Sequence, residues 1–121
     1  MKYSISHEWV ESYGEEVKVG ISHHFQAQLD DIVYVELPKV GFRVKKGDEV
    51  AVLESTKAAI DMTSPVSGVI VAVNTRLKEE PALVNQSAEK EGWIFRLQLD
   101  HPEELDQLLD AHSYQATLDG V

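Results

Sequence analysis

The chain contains no cysteine. That absence excludes a disulfide framework, a thiol nucleophile and a thiolate zinc site, and it leaves a reducing compartment admissible. Positive charge is scarce, with 11 Lys and Arg against 21 Asp and Glu for a formal charge of −10. Such a balance argues against nucleic-acid backbones and anionic membranes as partners, and favours proteins with basic docking faces. Apolar runs are short. None approaches the roughly 20 residues of a membrane span, and Met1-Lys2-Tyr3-Ser4 lacks the apolar core of a secretory signal. A cytoplasmic location is the expectation, with a processed organellar chain as the other admissible case. There is also no repeat, low-complexity stretch or linker. At roughly 100–200 residues per domain, residues 1–121 are expected to form one domain with its own core.

What remains is dominated by short β-branched runs. Val17–Ile21, Ile32–Leu37, Val50–Leu53, Val69–Val73 and Trp93–Leu99 read as strands. Spacings of about 15–20 residues are too short for repeated βαβ crossovers, so antiparallel pairing in a sandwich or flattened barrel follows. Ser12-Tyr13-Gly14-Glu15, Pro38-Lys39-Val40-Gly41, Lys46-Gly47-Asp48 and Ser64-Pro65-Val66-Ser67-Gly68 supply the turn residues between them.

Three segments break the pattern. Ser22 is placed to cap a short helix carrying Phe25 and Leu29 on one face and ending near Asp30-Asp31. Asn74–Asn85 holds cap candidates but is interrupted by Pro81, which predicts broken helical turns. From Asp100 onward a C-terminal helix is expected. Asp100 or His101 would cap it, Pro102, Glu103 and Glu104 suit its first turn, and Leu105, Leu108, Leu109 and His112 share a face. The stretch from Leu97 to Val121 carries six acids and no Lys or Arg, suited to electrostatic steering toward partners.

Chemistry is sparse by motif. His7-Glu8, His23-His24, His101 and His112 could be acid/base groups or metal ligands, which keeps a His-dependent metal-binding enzyme as a reading from another class. No HExxH, GxSxG or nucleotide-type glycine loop surrounds them. Gly47 to Gly68 is more informative. It reads as a strand from Glu49 to Glu54, a reversal at Ser55–Ala58 with Lys57 at its tip, and a return strand from Ala59 to Thr63. Ala58 and Ala59 leave space beside Lys57. The reversal Ser-Thr-Lys-Ala contains neither Gly nor Asn, and spacing alone gives no more than a surface lysine on a hairpin.

Gly47, Glu54, Lys57-Ala58, Pro65 and Gly68 resemble the lipoyl-attachment motif. Over nearly its whole length the chain resembles the H protein family of the glycine cleavage system. The matching pieces are Ser6-His7-Glu8-Trp9, Val19-Gly20-Ile21, Asp31-Ile32-Val33-Tyr34-Val35-Glu36-Leu37-Pro38, Glu54-Ser55-Thr56-Lys57-Ala58, Ser64-Pro65-Val66-Ser67-Gly68, Leu83-Val84-Asn85 and Glu91-Gly92-Trp93.

The resemblance implies a barrel-sandwich hybrid and a carrier, not an enzyme. Lys57 would bear lipoic acid as lipoyl-lysine, and the cofactor would supply the redox chemistry that a cysteine-free chain lacks. Glu54 would be read by the lipoate ligase or lipoyl transferase. Ser6, Glu8, Ile21, Leu29 and Asp61 would line a cleft protecting the loaded arm, their carboxylates facing its ammonium. The implied partners are glycine decarboxylase, aminomethyltransferase and dihydrolipoamide dehydrogenase, served by a monomer. A lipoate relay or a carrier for another pathway is the alternative within this class. The sequence departs from the family pattern at Ser22-His23-His24-Phe25, Asp30, Thr56 and Met62-Thr63, and the Phe25 ring is the departure nearest the implied cleft.

Overall fold

Alternation along the β-branched runs gives each strand one apolar face, and two sheets bury those faces against each other. The computed structural model describes residues 1–119. Gly120 and Val121, which close the expected 1–121 span, lie outside them. The elements in chain order are β1 (Lys2–Tyr3), β2 (Glu8–Tyr13), β3 (Glu16–Ile21), α1 (His23–Ala27), β4 (Ile32–Glu36), β5 (Arg43–Val44), β6 (Glu49–Ser55), β7 (Ala59–Thr63), β8 (Gly68–Val73), α2 (Leu83–Gln86), β9 (Phe95–Leu99), β10 (Leu109–Asp110) and α3 (Ala111–Asp119). A seven-stranded sheet runs β10-β1-β2-β3-β9-β8-β5, and a three-stranded sheet runs β4-β6-β7. All pairs are antiparallel. This is the expected mostly β sandwich with a short early helix and a C-terminal helix.

The core joins both layers. Val17, Val19, Ile21, Ile70, Phe95 and Leu97 of the large sheet meet Ile32, Val35, Leu53 and Met62 of the small one. A satellite cluster of Tyr3, Trp9 and Tyr114 anchors α3. Trp9 is fully buried and its indole N–H donates to the Ala88 carbonyl at 2.8 Å. In register opposite it, Gly20 has no room for a side chain, because a Cβ there would stand 2.7 Å from the Trp9 indole nitrogen. Gly68 is tighter still, its hypothetical Cβ only 2.0 Å from the Gln98 carbonyl oxygen on β9.

The Ser22 cap forms as expected, its hydroxyl accepting the Phe25 N–H at 3.1 Å. The broken turns after Asn74 are a 3₁₀ turn at Thr75–Lys78 followed by α2. The C-terminal segment differs from the reading of one helix starting at Asp100. Pro102–Gln107 is a 3₁₀ helix, Leu109-Asp110 pairs with Lys2-Tyr3, and only then does α3 begin. The reason is local competition. Leu105 and Leu108 reach the main core while Leu109 packs on the Tyr3 cluster, and Asp110 caps α3 by accepting the Ser113 N–H at 2.7 Å. The acids of this stretch are also employed structurally: Asp100 pairs with Arg43, and Glu104 accepts both the N–H and hydroxyl of Ser67 at 2.7 and 2.9 Å.

Candidate functional site

The β6–β7 hairpin places Lys57 at its tip through a serine rather than a glycine. The Ser55 N–H donates to the Ala58 carbonyl at 2.8 Å. Its hydroxyl accepts the N–H groups of Lys57 and Ala58 at 3.2 and 3.1 Å, and it lies 3.2 Å from the Ala58 carbonyl. A hydroxyl that mimics a backbone turn explains how Ser-Thr-Lys-Ala reverses without a residue favouring positive φ. The Lys57 side chain is 79% exposed, and its ammonium sits 3.6 Å from Asp30, just beyond α1. Exposed Ala58 and Ala59 follow it, so small side chains border any approach to the amine. Glu54 stands half-buried at the strand end, in register with Tyr34 and Ala59.

A second constellation lies where the two sheets meet. Glu8 is 2% exposed and accepts hydrogen bonds from the hydroxyls of Ser4 and Ser6, each at 2.7 Å, with the Thr63 hydroxyl of β7 at 3.5 Å. Burial pushes its carboxyl above the ordinary carboxylate range, and the three hydroxyls pull it part of the way back. The turn before it is held by the Ser4 N–H on the Glu8 carbonyl at 2.9 Å and the Glu8 N–H on the Ser4 hydroxyl at 3.0 Å. This turn includes the one non-glycine residue of positive φ among those described, His7 at 72°, a conformation that costs about 1–2 kcal/mol in an L-residue. A carboxylate ringed by hydroxyls at the sheet junction can hold a positively charged group while excluding most water.

The structure thus brings Ser6 and Glu8 together with Thr63. Ile21 pairs in register with Glu8 and is fully buried in the core. Leu29 follows α1 and packs half-buried on the same core beside Phe25, whose ring centroid is 6.0 Å from His7. Asp61 is exposed, in the cross-strand row Glu36–Val52–Asp61, on the same face of β7 as Thr63 two residues on, and it borders a depression that includes Leu37, Pro38 and Phe42. No cluster of three or more His, Asp or Glu among the described residues is arranged to hold a metal ion. No described helix is long and apolar enough to cross a membrane.

The family profile described as glycine cleavage H-protein matches residues 1–120. The chain belongs to that family. It is 51% identical over 116 residues to the glycine cleavage system H protein of Methylacidiphilum infernorum, covering 96% of this chain and 91% of that one. It is 50% identical over 114 residues to the protein of the same name from Thermotoga maritima, covering 94% and 92%. The crystal structure of a glycine cleavage system H protein from Mycobacterium marinum superposes with a TM-score of 0.85 at 33% identity, covering 99% of this chain and 96% of that one. Two of the motif glycines are explained by close approach, Gly20 under Trp9 and Gly68 against β9.

Sequence reasoning missed five participants. Ser55 was legible as a side-chain turn former, and Ser4 as a near neighbour of Glu8 in sequence. Asp30, Thr63 and Tyr114 carried no local signal, since each meets its partner across the fold: Asp30 with Lys57, Thr63 with Glu8, and Tyr114 with His7 at 2.7 Å.

Proposed function

We propose that Lys57 carries lipoic acid in amide linkage and that the chain acts through this arm as the carrier subunit of the glycine cleavage system, itself not a catalyst. The observation that supports the reading most directly is the exposed lysine on a serine-clamped hairpin tip, inside the family motif of a chain that belongs to the H-protein family. When bound, the lipoyl group supplies the disulfide that takes up the aminomethyl group derived from glycine. The chain's own residues do the rest. Ser55 fixes the tip, Ala58 and Ala59 leave it uncrowded, and Glu54 offers the attaching lipoate ligase or lipoyl transferase a carboxylate beside the target. The buried Glu8, held by Ser4, Ser6 and Thr63, receives the ammonium of the load and keeps it from bulk water, with Ile21 and Leu29 as the apolar wall. Asp61, on the same face of β7 as Thr63, adds a second carboxylate to the lining of that cleft.

Glycine decarboxylase, aminomethyltransferase and dihydrolipoamide dehydrogenase are then the successive partners of a cytoplasmic monomer, folded as one domain. Intact mass and peptide mapping after incubation with a lipoate ligase, lipoate and ATP test the central step. One adduct on Lys57, lost in Lys57→Arg with the circular dichroism spectrum unchanged, is the expected result. An adduct on another lysine, or none with a competent ligase, refutes it.

A further inference from the structure

The strained residue, the buried carboxylate and the C-terminal helix are joined through one phenol. Three attachments fix His7: its N–H donates to the Ser4 carbonyl at 3.1 Å, its carbonyl accepts the Ser22 N–H at 2.8 Å, and its Nδ1 lies 2.7 Å from the Tyr114 hydroxyl. The same Tyr114 hydroxyl is 2.8 Å from Ser22 Oγ, the cap of α1. Tyr114 itself is 5% exposed and stacks on Tyr3 with ring centroids 4.4 Å apart. A side chain of α3 therefore grips, at one point, both the β1–β2 turn and the start of α1. The residue after His7 is Glu8.

A positive φ at a bulky residue persists only where its surroundings over-determine it, and such positions gather at functional sites. Relaxing His7 to an ordinary negative φ would redirect the chain at the next residue and pull Glu8 away from Ser4 and Ser6. The ring stack on Tyr3 packs α3 on the core, and the hydroxyl makes a separate polar contact to His7 and Ser22 that can be removed without removing the ring.

We propose that Tyr114 and His7 are positioning residues for Glu8: the Tyr114 hydroxyl clasps the strained His7 and so keeps the Glu8 carboxylate in its ring of hydroxyls, ready for the cationic load of the arm. This rests on the reading of Glu8 given above. The charged and titratable groups around the clasp are Glu8 itself, His24 with its ring 5.2 Å from His7, and Glu89, which accepts the Tyr3 hydroxyl at 2.7 Å and the His23 N–H at 2.8 Å. Burial, and then His24, hold the His7 imidazolium below its usual range, so the clasp works with a neutral imidazole at neutral pH.

The test uses the unmodified chain and follows Glu8 directly, by carboxyl ¹³C NMR titration and by amide exchange at Ser6 and Glu8. Tyr114→Phe keeps the stack and removes only the hydroxyl. The Glu8 titration midpoint is expected to fall toward the ordinary glutamate value, and exchange at Ser6 and Glu8 to rise about fivefold, the net weight of one hydrogen bond, with β3 and β9 amides unchanged. His7→Gly is the second variant, and it decides the matter alone if Tyr114→Phe fails to fold. Glycine relieves the φ strain, so a structural role predicts an equal or higher melting temperature with Glu8 titrating as before. The clasp predicts retained stability together with the same fall in the Glu8 midpoint. A wild-type Glu8 titration in either folded variant overturns the proposal. The reading of Glu8 is tested separately, on lipoylated chain loaded from labelled glycine by a glycine decarboxylase: Glu8→Gln should speed loss of the label. An unchanged rate there refutes the load-binding role, while the titrations still report whether the clasp exists.

Discussion

Replacing Ser55 by alanine isolates the device that presents Lys57. The side-chain oxygen accepts two N–H groups, from Lys57 and Ala58 at 3.2 and 3.1 Å, and the backbone bond from Ser55 to Ala58 at 2.8 Å survives its removal. Both donors are exposed, so water replaces the hydroxyl and each bond counts near the lower end of the usual net range, about 0.5 kcal/mol. The sum, about 1 kcal/mol, corresponds to roughly a fivefold rise in the population of the open tip. Because the tip lies outside the core, this cost appears as local opening, and a melting shift of no more than about 4 °C is expected. Hydrogen exchange at the Lys57 and Ala58 amides should speed by that factor. The initial rate of lipoylation at sub-saturating chain should drop in proportion, and Ser55→Thr, which retains the hydroxyl, should restore both. Unchanged exchange in the alanine variant would refute the clamp. Faster exchange with an unaltered lipoylation rate would show that the ligase does not require a preformed tip.

Three further outcomes follow from the same geometry. Gly68→Ala forces a Cβ to within 2.0 Å of the Gln98 carbonyl, so β8 and β9 must separate; a loss of about 3 kcal/mol is expected, read as a lower urea midpoint with unchanged slope, and a loss under about 1 kcal/mol would contradict the packing. Glu8→Gln should raise the melting temperature at neutral pH. The native carboxyl titrates above its unfolded value of 4.5, so its contribution to stability is complete below that pH and is lost as pH rises through the raised folded value; this part of the wild-type pH dependence should vanish in the glutamine variant. Finally, Glu103→Gln with Asp106→Asn removes two exposed acids of the C-terminal stretch while sparing Asp100, Glu104 and Asp110, which hold structure. If this face steers partners, turnover with the decarboxylase should lose part of its salt dependence around 0.15 M, where the Debye length is about 8 Å, and an unchanged salt slope would leave the two acids without that role.

The five β-branched runs were legible because each alternates apolar residues that end in one core, as at Val17, Val19 and Ile21. β2 escaped because Glu8, Trp9 and Val10 are all buried and so break the alternation, and β1, β5 and β10 because two-residue strands carry no periodicity and their pairing is decided by partners distant in sequence: Lys2 meets Asp110 and Arg43 meets Val69. The helix expected from Asp100 failed for a related reason. Its apolar residues serve two different cores, a division visible only once Tyr3 and Trp9 are in place. The place of Lys57 at the hairpin tip and of Glu54 at the end of the entering strand was legible from the hairpin pattern. The company of Glu8 was only half legible, since Ser4 and Ser6 are neighbours in sequence whereas Thr63 arrives from the other sheet.

The separation of these two constellations matters for a carrier. Lys57 makes one exposed ion pair, to Asp30 at 3.6 Å, and such a pair is worth at most about 1 kcal/mol. Amidation at Lys57 would remove that positive charge, taking the formal charge of the chain from −10 to −11, and would cost the fold almost nothing because the exposed ammonium makes only that one ion pair. Glu8 is the opposite case. Its ionised form is stabilised by hydroxyls yet opposed by burial, so a cation delivered to it gains an electrostatic partner that water has already left. On the proposed reading, a tip that can be modified without consequence for the core, and a buried carboxylate that gains most when a cation arrives, would together let one fold tolerate the bare, modified and loaded states in turn.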